Sequence, residues 1–187
     1  MNLQERKQAY NDLCKKYDVA ANVLDVNLLE DIGFFTAPAS TKYHGAYEGG
    51  LFDHSYTVTQ ELLKFTEKLG LEWQTKRSPI VVGMFHDFCK TESYVQRERV
   101  NPETAATEQV YEYNQDIIIP GHGDKSIILL THYMPLTPEE VACIRWHMGA
   151  YETDTAMWNY YGRAIKQYPN VLYTYTADMV ASKILGV

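Results

Sequence analysis

The sequence predicts a mostly α-helical chain, a compact bundle carrying one small β-hairpin. Three observations lead there. Apolar residues recur at helical spacing over 2–17 and 21–31, as Leu24, Leu28 and Leu29 do. Helix punctuation divides much of the remainder: Gly70 closes one run, and Pro79 and Pro138 open others. Only 93–100 and 109–114 carry alternating β-formers, joined by a polar turn at Asn101-Pro102.

Taken in order, the two amphipathic runs give the first helices. A loop rich in Ala, Pro, Ser, Tyr and Gly fills 33–50, and a helix follows from about Leu51 to Lys68. The segment from Ile80 to Phe85 is apolar nearly all round, which marks a buried helix, and it runs into His86-Asp87. After the hairpin, 120–124 reads as a turn, with Asp124 placed to cap a helix through about Tyr133. Pro138 opens a helix expected to carry His147, and two more are expected over about 155–167 and 169–185.

A length of 187 residues fits one domain spanning 1–187 with a single substantial core. The formal net charge of −7 opposes binding of long nucleic acids, which demand a basic face, and favours a small partner. If that partner is itself anionic, a bound metal would offset its charge. The three cysteines, Cys14, Cys89 and Cys143, are scattered and form no Cys-x-x-Cys pair, so neither a disulfide framework nor a zinc finger is indicated. No apolar run approaches the ~20 residues of a membrane span, and the polar N-terminus is not a secretory signal. A cytoplasmic protein is expected. The 15 tyrosines suit core, stacking or interface roles equally, and exposed aromatics are compatible with a homo-oligomer.

The informative feature is where metal-ligand types interrupt apolar helices. A buried Asp87 needs a positive neighbour, because an unpaired buried carboxylate costs several kcal/mol. His54, His86-Asp87, His122, His147 and Asp178 each fall on, or at the start of, a separate expected helix. Bundles build metal sites in this way, one or two ligands per helix aimed at a common point.

That order resembles the HD-domain superfamily of metal-dependent phosphohydrolases. The stretch 47–55 is similar to the segment around the family's first histidine, and His86-Asp87-Phe88-Cys89-Lys90 matches its His-Asp-x-x-Lys motif. Residues 121–126, 144–147 and 177–179 complete the set, so the resemblance covers about 35–185. It implies a first metal held by His54, His86, Asp87 and Asp178. His122 and His147 stand where the two-metal branch places ligands for a second ion, with Asp87 bridging. The one-metal branch uses the later histidines to contact substrate. The cofactor implied is one or two divalent transition-metal ions; mixed imidazole and carboxylate ligation suits Mn, Fe, Co, Ni or Zn, and a thiolate-loving site is not expected.

On this reading Asp87 and Lys90 are the catalytic candidates, with Lys90 on the face of Asp87 if the helix continues. Lys125, Arg145 and His44 are weaker candidates for contact with substrate. A surface lysine, a salt-bridged arginine and a loop-capping histidine are the ordinary alternatives. Arg97 and Arg99 can close over an anion or simply alternate on an exposed strand. Tyr94, Tyr111, Tyr113 and Tyr151 can stack on a base or pack, and His132 reads as surface or core. A thiol nucleophile at Cys89 would waste His86 as its base. The expected activity is cleavage of a phosphate ester or anhydride in a nucleotide-like substrate. Phosphodiester cleavage in short RNA or cyclic nucleotides, and a non-catalytic regulatory module, are the alternatives.

Overall fold

The computed structural model describes residues 1–101, 105–149 and 155–187. Its elements run α1 (Leu3–Lys16), α2 (Val26–Asp31), α3 (Gly50–Leu69), α4 (Ser78–Phe85), α5 (Lys90–Ser93), β1 (Tyr94–Val100) and β2 (Thr107–Tyr113). They continue as α6 (His122–Leu130), α7 (Pro138–Arg145), α8 (Thr155–Gln167) and α9 (Asn170–Met179), with a closing π-helical turn over Val180–Leu185. The strands form one antiparallel pair in register from Tyr94↔Tyr113 to Val100↔Thr107. The mostly helical architecture with one small hairpin is the expected one. No helix among the described residues is long and apolar enough to cross a membrane. Pro102 and Tyr151 lie outside the described residues.

Helix α3 sits at the centre, packed on α4 and α9, and α7 packs on α4, α6 and α9. Its ends obey local rules: Gly49 and Gly70 flank it in the left-handed region, and the Gly70 N–H closes on the Thr66 carbonyl. Beneath it lies an aromatic cluster of Tyr10, Phe34, Phe35, Phe52, Phe85 and Phe88, with Phe35 and Phe52 centroids 5.2 Å apart. Helix α1 is fastened over this cluster by Arg6, whose guanidinium donates to both oxygens of buried Asp53 at 3.0 and 3.1 Å. Asp53 immediately precedes His54, so this clamp also fixes the first turn that carries a candidate ligand.

A second polar anchor sets α7. Glu140 is fully buried, yet it accepts from Arg77 Nε and Nη2 at 3.2 and 3.1 Å, from Ser78 Oγ at 3.0 Å and from the Thr137 N–H at 2.8 Å. Every lone-pair direction of this carboxylate is used, which is the condition for burying it. Neighbouring Glu139 accepts from Asn170 Nδ2 at 2.9 Å and so ties α7 to α9.

Three local expectations are corrected. The run 21–31 is not one helix: a 3₁₀ turn over Ala20–Asn22 precedes α2, because Asp25 caps the Asn27 and Leu28 N–H groups. Asp124 does not cap α6, which begins earlier at His122 after Gly121 with φ of 82°; Asp124 lies in the first turn and pairs with Arg145. His147 lies beyond α7 rather than on it, since that helix ends at Arg145 and Trp146 closes it.

Candidate metal centre

His54 comes from the first turn of α3, His86 and Asp87 from the turn closing α4, His147 from the turn after α7, and Asp178 from the last turn of α9. All three imidazoles are fully buried. Each has its Nδ1 against a backbone carbonyl: His54 on Val187 at 2.9 Å, His86 on Gly83 at 2.9 Å, and His147 on Ile144 at 2.8 Å. A carbonyl can only accept, so each Nδ1 carries a proton and each Nε2 is turned inward. Metal-ligating histidines are oriented by this kind of outer contact.

Those Nε2 atoms face acceptors. His54 Nε2 is 3.2 Å from His86 Nε2 and 3.2 Å from Asp178 Oδ1. His86 Nε2 is 3.5 Å from Asp87 Oδ2, and His147 Nε2 is 3.4 Å from Asp87 Oδ1. Neither Asp87 Oδ1 nor His147 Nε2 has a hydrogen-bond partner among the described residues, although both are buried. Lone pairs opposed in this way repel unless a positive charge, a proton or a metal ion, sits among them. Two donors each ~2.1 Å from one ion stand about 2.9–3.4 Å apart at octahedral or tetrahedral angles. The observed spacing fits that geometry, and the residues therefore suit a divalent cation.

Electrostatics point the same way. Burial alone would raise the Asp87 carboxyl, but the Lys90 ammonium, with His86 and His147, holds it well below the ordinary carboxylate range. Asp178 is likewise raised by burial, yet contact with His54 and the nearby His86 bring it down to about 2. Burial lowers His44 to about 4, and His54 and Lys90 add to the effect. Burial also pushes the Cys89 thiol up to about 11, which removes it as a thiolate nucleophile.

The centre opens on a cavity of about 390 Å³ lined by Asp87, Asp178, Lys90, His44, His122 and Tyr94, among others. That size holds a small ligand. The cavity gathers two of the candidate cationic or polar contacts, Lys90 and His44, and omits two. Lys125 is buried against Glu92 at 2.7 Å and lines a separate recess. Arg145 pairs with Asp124 at 2.5 Å and stacks on Trp146. His132 is exposed, its Nδ1 on the Ile128 carbonyl. Arg97 and Arg99 fall on the opposite strand face from Tyr94 and Gln96, which with Tyr111 line a third recess of about 420 Å³ beside Pro38. Tyr113 is exposed at the base of the hairpin and meets the Tyr94 ring edge-on.

Sequence reasoning missed Lys183 on this wall and, behind it, a ligand role for Cys89. Lys183 lines the cavity because the backbone widens into a π turn after Met179; on a regular helix it would be rotated about 140° from Asp178. Cys89 packs its Sγ 3.5 Å from His122 Nδ1, and Asp87, Cys89 and His122 place ligand atoms within 4.8 Å of one another. The signal for Cys89 was its place inside the His-Asp-x-x-Lys motif.

No family model matches the chain, and no solved structure does. Among curated proteins, 67 residues are 39% identical to a dihydroneopterin 2',3'-cyclic phosphate phosphodiesterase of Methanocaldococcus jannaschii, covering 33% of this chain. The match spans 26% of that protein's length. Over about a third of its length, then, the chain is similar to a phosphodiesterase, and the described residues include His/Asp groups able to hold a metal ion.

Proposed function

We propose that this chain is a metal-dependent phosphohydrolase of the HD-domain superfamily, working as one unit over 1–187 on a phosphate ester or anhydride bond of a small nucleotide-like substrate. One observation carries the reading: three imidazoles, locked by backbone carbonyls, turn their Nε2 atoms onto the carboxylates of buried Asp87 and half-buried Asp178. His54, His86, Asp87 and Asp178 would hold the first ion, with His122 and His147 serving a second. Mn, Fe, Co, Ni and Zn all suit these donors. A bound ion supplies Lewis acidity toward a phosphoryl oxygen and lowers the pKa of water.

The chain's own groups supply binding and orientation. Lys90 brings a buried positive charge to the cavity wall, close to where a substrate phosphate would approach Asp87. Lys183 adds a flexible second cation, and His44 stays neutral at pH 7, able to donate or accept one hydrogen bond. The Tyr94 ring offers a flat apolar face for a base or similar heterocycle.

Cleavage of a cyclic phosphodiester is the second reading, favoured by the partial likeness to a 2',3'-cyclic phosphate phosphodiesterase. Metal analysis of chelator-free protein, joined to a chromatographic screen over nucleoside phosphates, 2',3'-cyclic phosphates, cyclic dinucleotides and short RNA, tests both. Turnover of monoesters or anhydrides supports the first reading; turnover restricted to cyclic phosphates supports the second. Absence of turnover with every added divalent ion would leave a non-catalytic binding module.

A further inference from the structure

Cys89 is fully buried and held rigidly. Its N–H donates to Ser126 Oγ at 3.1 Å, and its carbonyl accepts from Ser93 Oγ at 2.7 Å. Its Sγ and His122 Nδ1 stand 3.5 Å apart, and a carboxylate oxygen of Asp87 completes a triad of ligand atoms all within 4.8 Å. With metal–sulfur and metal–nitrogen bonds of ~2.3 and ~2.05 Å, two tetrahedral ligands of zinc stand about 3.6 Å apart. The Cys89–His122 separation agrees with that value. Independently, Asp87 Oδ1 is buried without a hydrogen-bond partner among the described residues. Asp87 and His122 also line the cavity, so a fourth position would open toward a bound molecule.

We propose that Asp87, Cys89 and His122 form a second cation site, one that takes a thiophilic divalent ion such as zinc or cadmium in preference to magnesium or manganese. Thiolate is the softest donor in the centre and sets this preference. On binding, the S–H bond of Cys89 breaks as the sulfur–metal bond forms, and the proton leaves to solvent. The cysteine replaces the all-imidazole and carboxylate ligation expected of the second ion. The proposal rests on metal binding alone and does not depend on hydrolysis.

Cadmium titration of the full, metal-stripped chain tests it through the ultraviolet thiolate-to-cadmium charge-transfer band. The wild type should develop the band, and Cys89→Ser should lose it while keeping its helical circular dichroism. Asp178→Asn, which lies outside the Asp87, Cys89 and His122 group, should retain it. A wild type without the band, or a Cys89→Ser variant that keeps it, overturns the proposal. Should Cys89→Ser fail to fold, the Cys14→Ser/Cys143→Ser double variant leaves Cys89 as the sole thiol: the band's presence there supports the site and its absence overturns it. No substrate enters the experiment, so failure here leaves the phosphohydrolase reading to its own test.

Discussion

The Asp87 carboxylate and the Lys90 ammonium meet at 2.6 Å across a single turn, both shielded from water. The partnership is mutual: Asp87 keeps Lys90 charged against its burial, and Lys90 keeps Asp87 ionised against its own. Removing one member of such a pair strands the other in a low-dielectric site, at a cost of about 3–5 kcal/mol. Lys90→Ala should therefore lower the stability of the metal-free protein by that order. A saturating divalent ion would give Asp87 another cationic partner, so the deficit should shrink on loading. Thermal melts with and without metal measure both gaps; a deficit that metal leaves unchanged would count against Asp87 as a ligand.

Gly83 stands where α4 crosses α3. A Cβ there would lie 2.6 Å from the Thr59 Cα and 2.5 Å from its Oγ1. Thr59 cannot swing away cheaply, because that hydroxyl donates to the Ser55 carbonyl at 2.8 Å. Gly83→Ala should force the helices apart, at about 1–3 kcal/mol or more. It should also separate His54, on α3, from His86 just beyond α4. Lower melting temperature together with weaker metal binding, measured by competition with a chromophoric chelator, is the expected pair of results. Unchanged affinity would show that the crossing does not set the ligand spacing.

His44 gives the metal-free protein an acid-sensitive element. Its pKa falls from 6.5 to about 4 on folding, so between those values the unfolded chain binds the proton that the folded chain refuses. Stability therefore declines as pH drops from about 6.5 towards 4, and the contribution is fully present above that window. Denaturant midpoints across this range should fall less steeply for His44→Gln than for the wild type. Parallel slopes would remove His44 from the account.

Lys183 is an exposed cation on the cavity wall, and among the described residues it has no carboxylate partner of the kind that Lys90 has. Its substitution by Ala should raise KM for an anionic substrate severalfold, with kcat little changed. That pattern marks binding shared equally by ground and transition states. Lys90→Ala should lower kcat as well. A matching loss of kcat in both variants would erase the distinction between the two lysines.

Much of the frame was legible in the sequence because it depends on local rules. Gly70, Pro79 and the alternating strands did what their chemistry dictates. The ligand-type residues were visible as polar interruptions of apolar segments, and the structure brings His54, His86, Asp87, His147 and Asp178 together. What stayed hidden depends on partners remote in sequence. Lys125 and Arg145 carry charges suited to phosphate, yet Glu92 and Asp124 engage them first. Nothing within their own helices reveals that. Lys183 reaches the cavity only through a change of helical pitch, which residue spacing read at 3.6 per turn cannot show. Cys89 looked like an ordinary buried thiol until His122 was folded against it.

The inward-facing groups are scattered from residue 54 to residue 178, and only His86 and Asp87 are sequence neighbours. In the unfolded chain they are too far apart to chelate anything. A cation would then recognise the finished fold almost exclusively, and its binding free energy would be added nearly undiluted to the folding equilibrium. Because the His54 Nδ1 proton rests on the Val187 carbonyl, beyond the π turn, the segment 180–187 must dock against α3 before this ligand is aimed. Metal uptake would thus report that segments from α3 to Val187 have come together, as a latch reports that a door has shut.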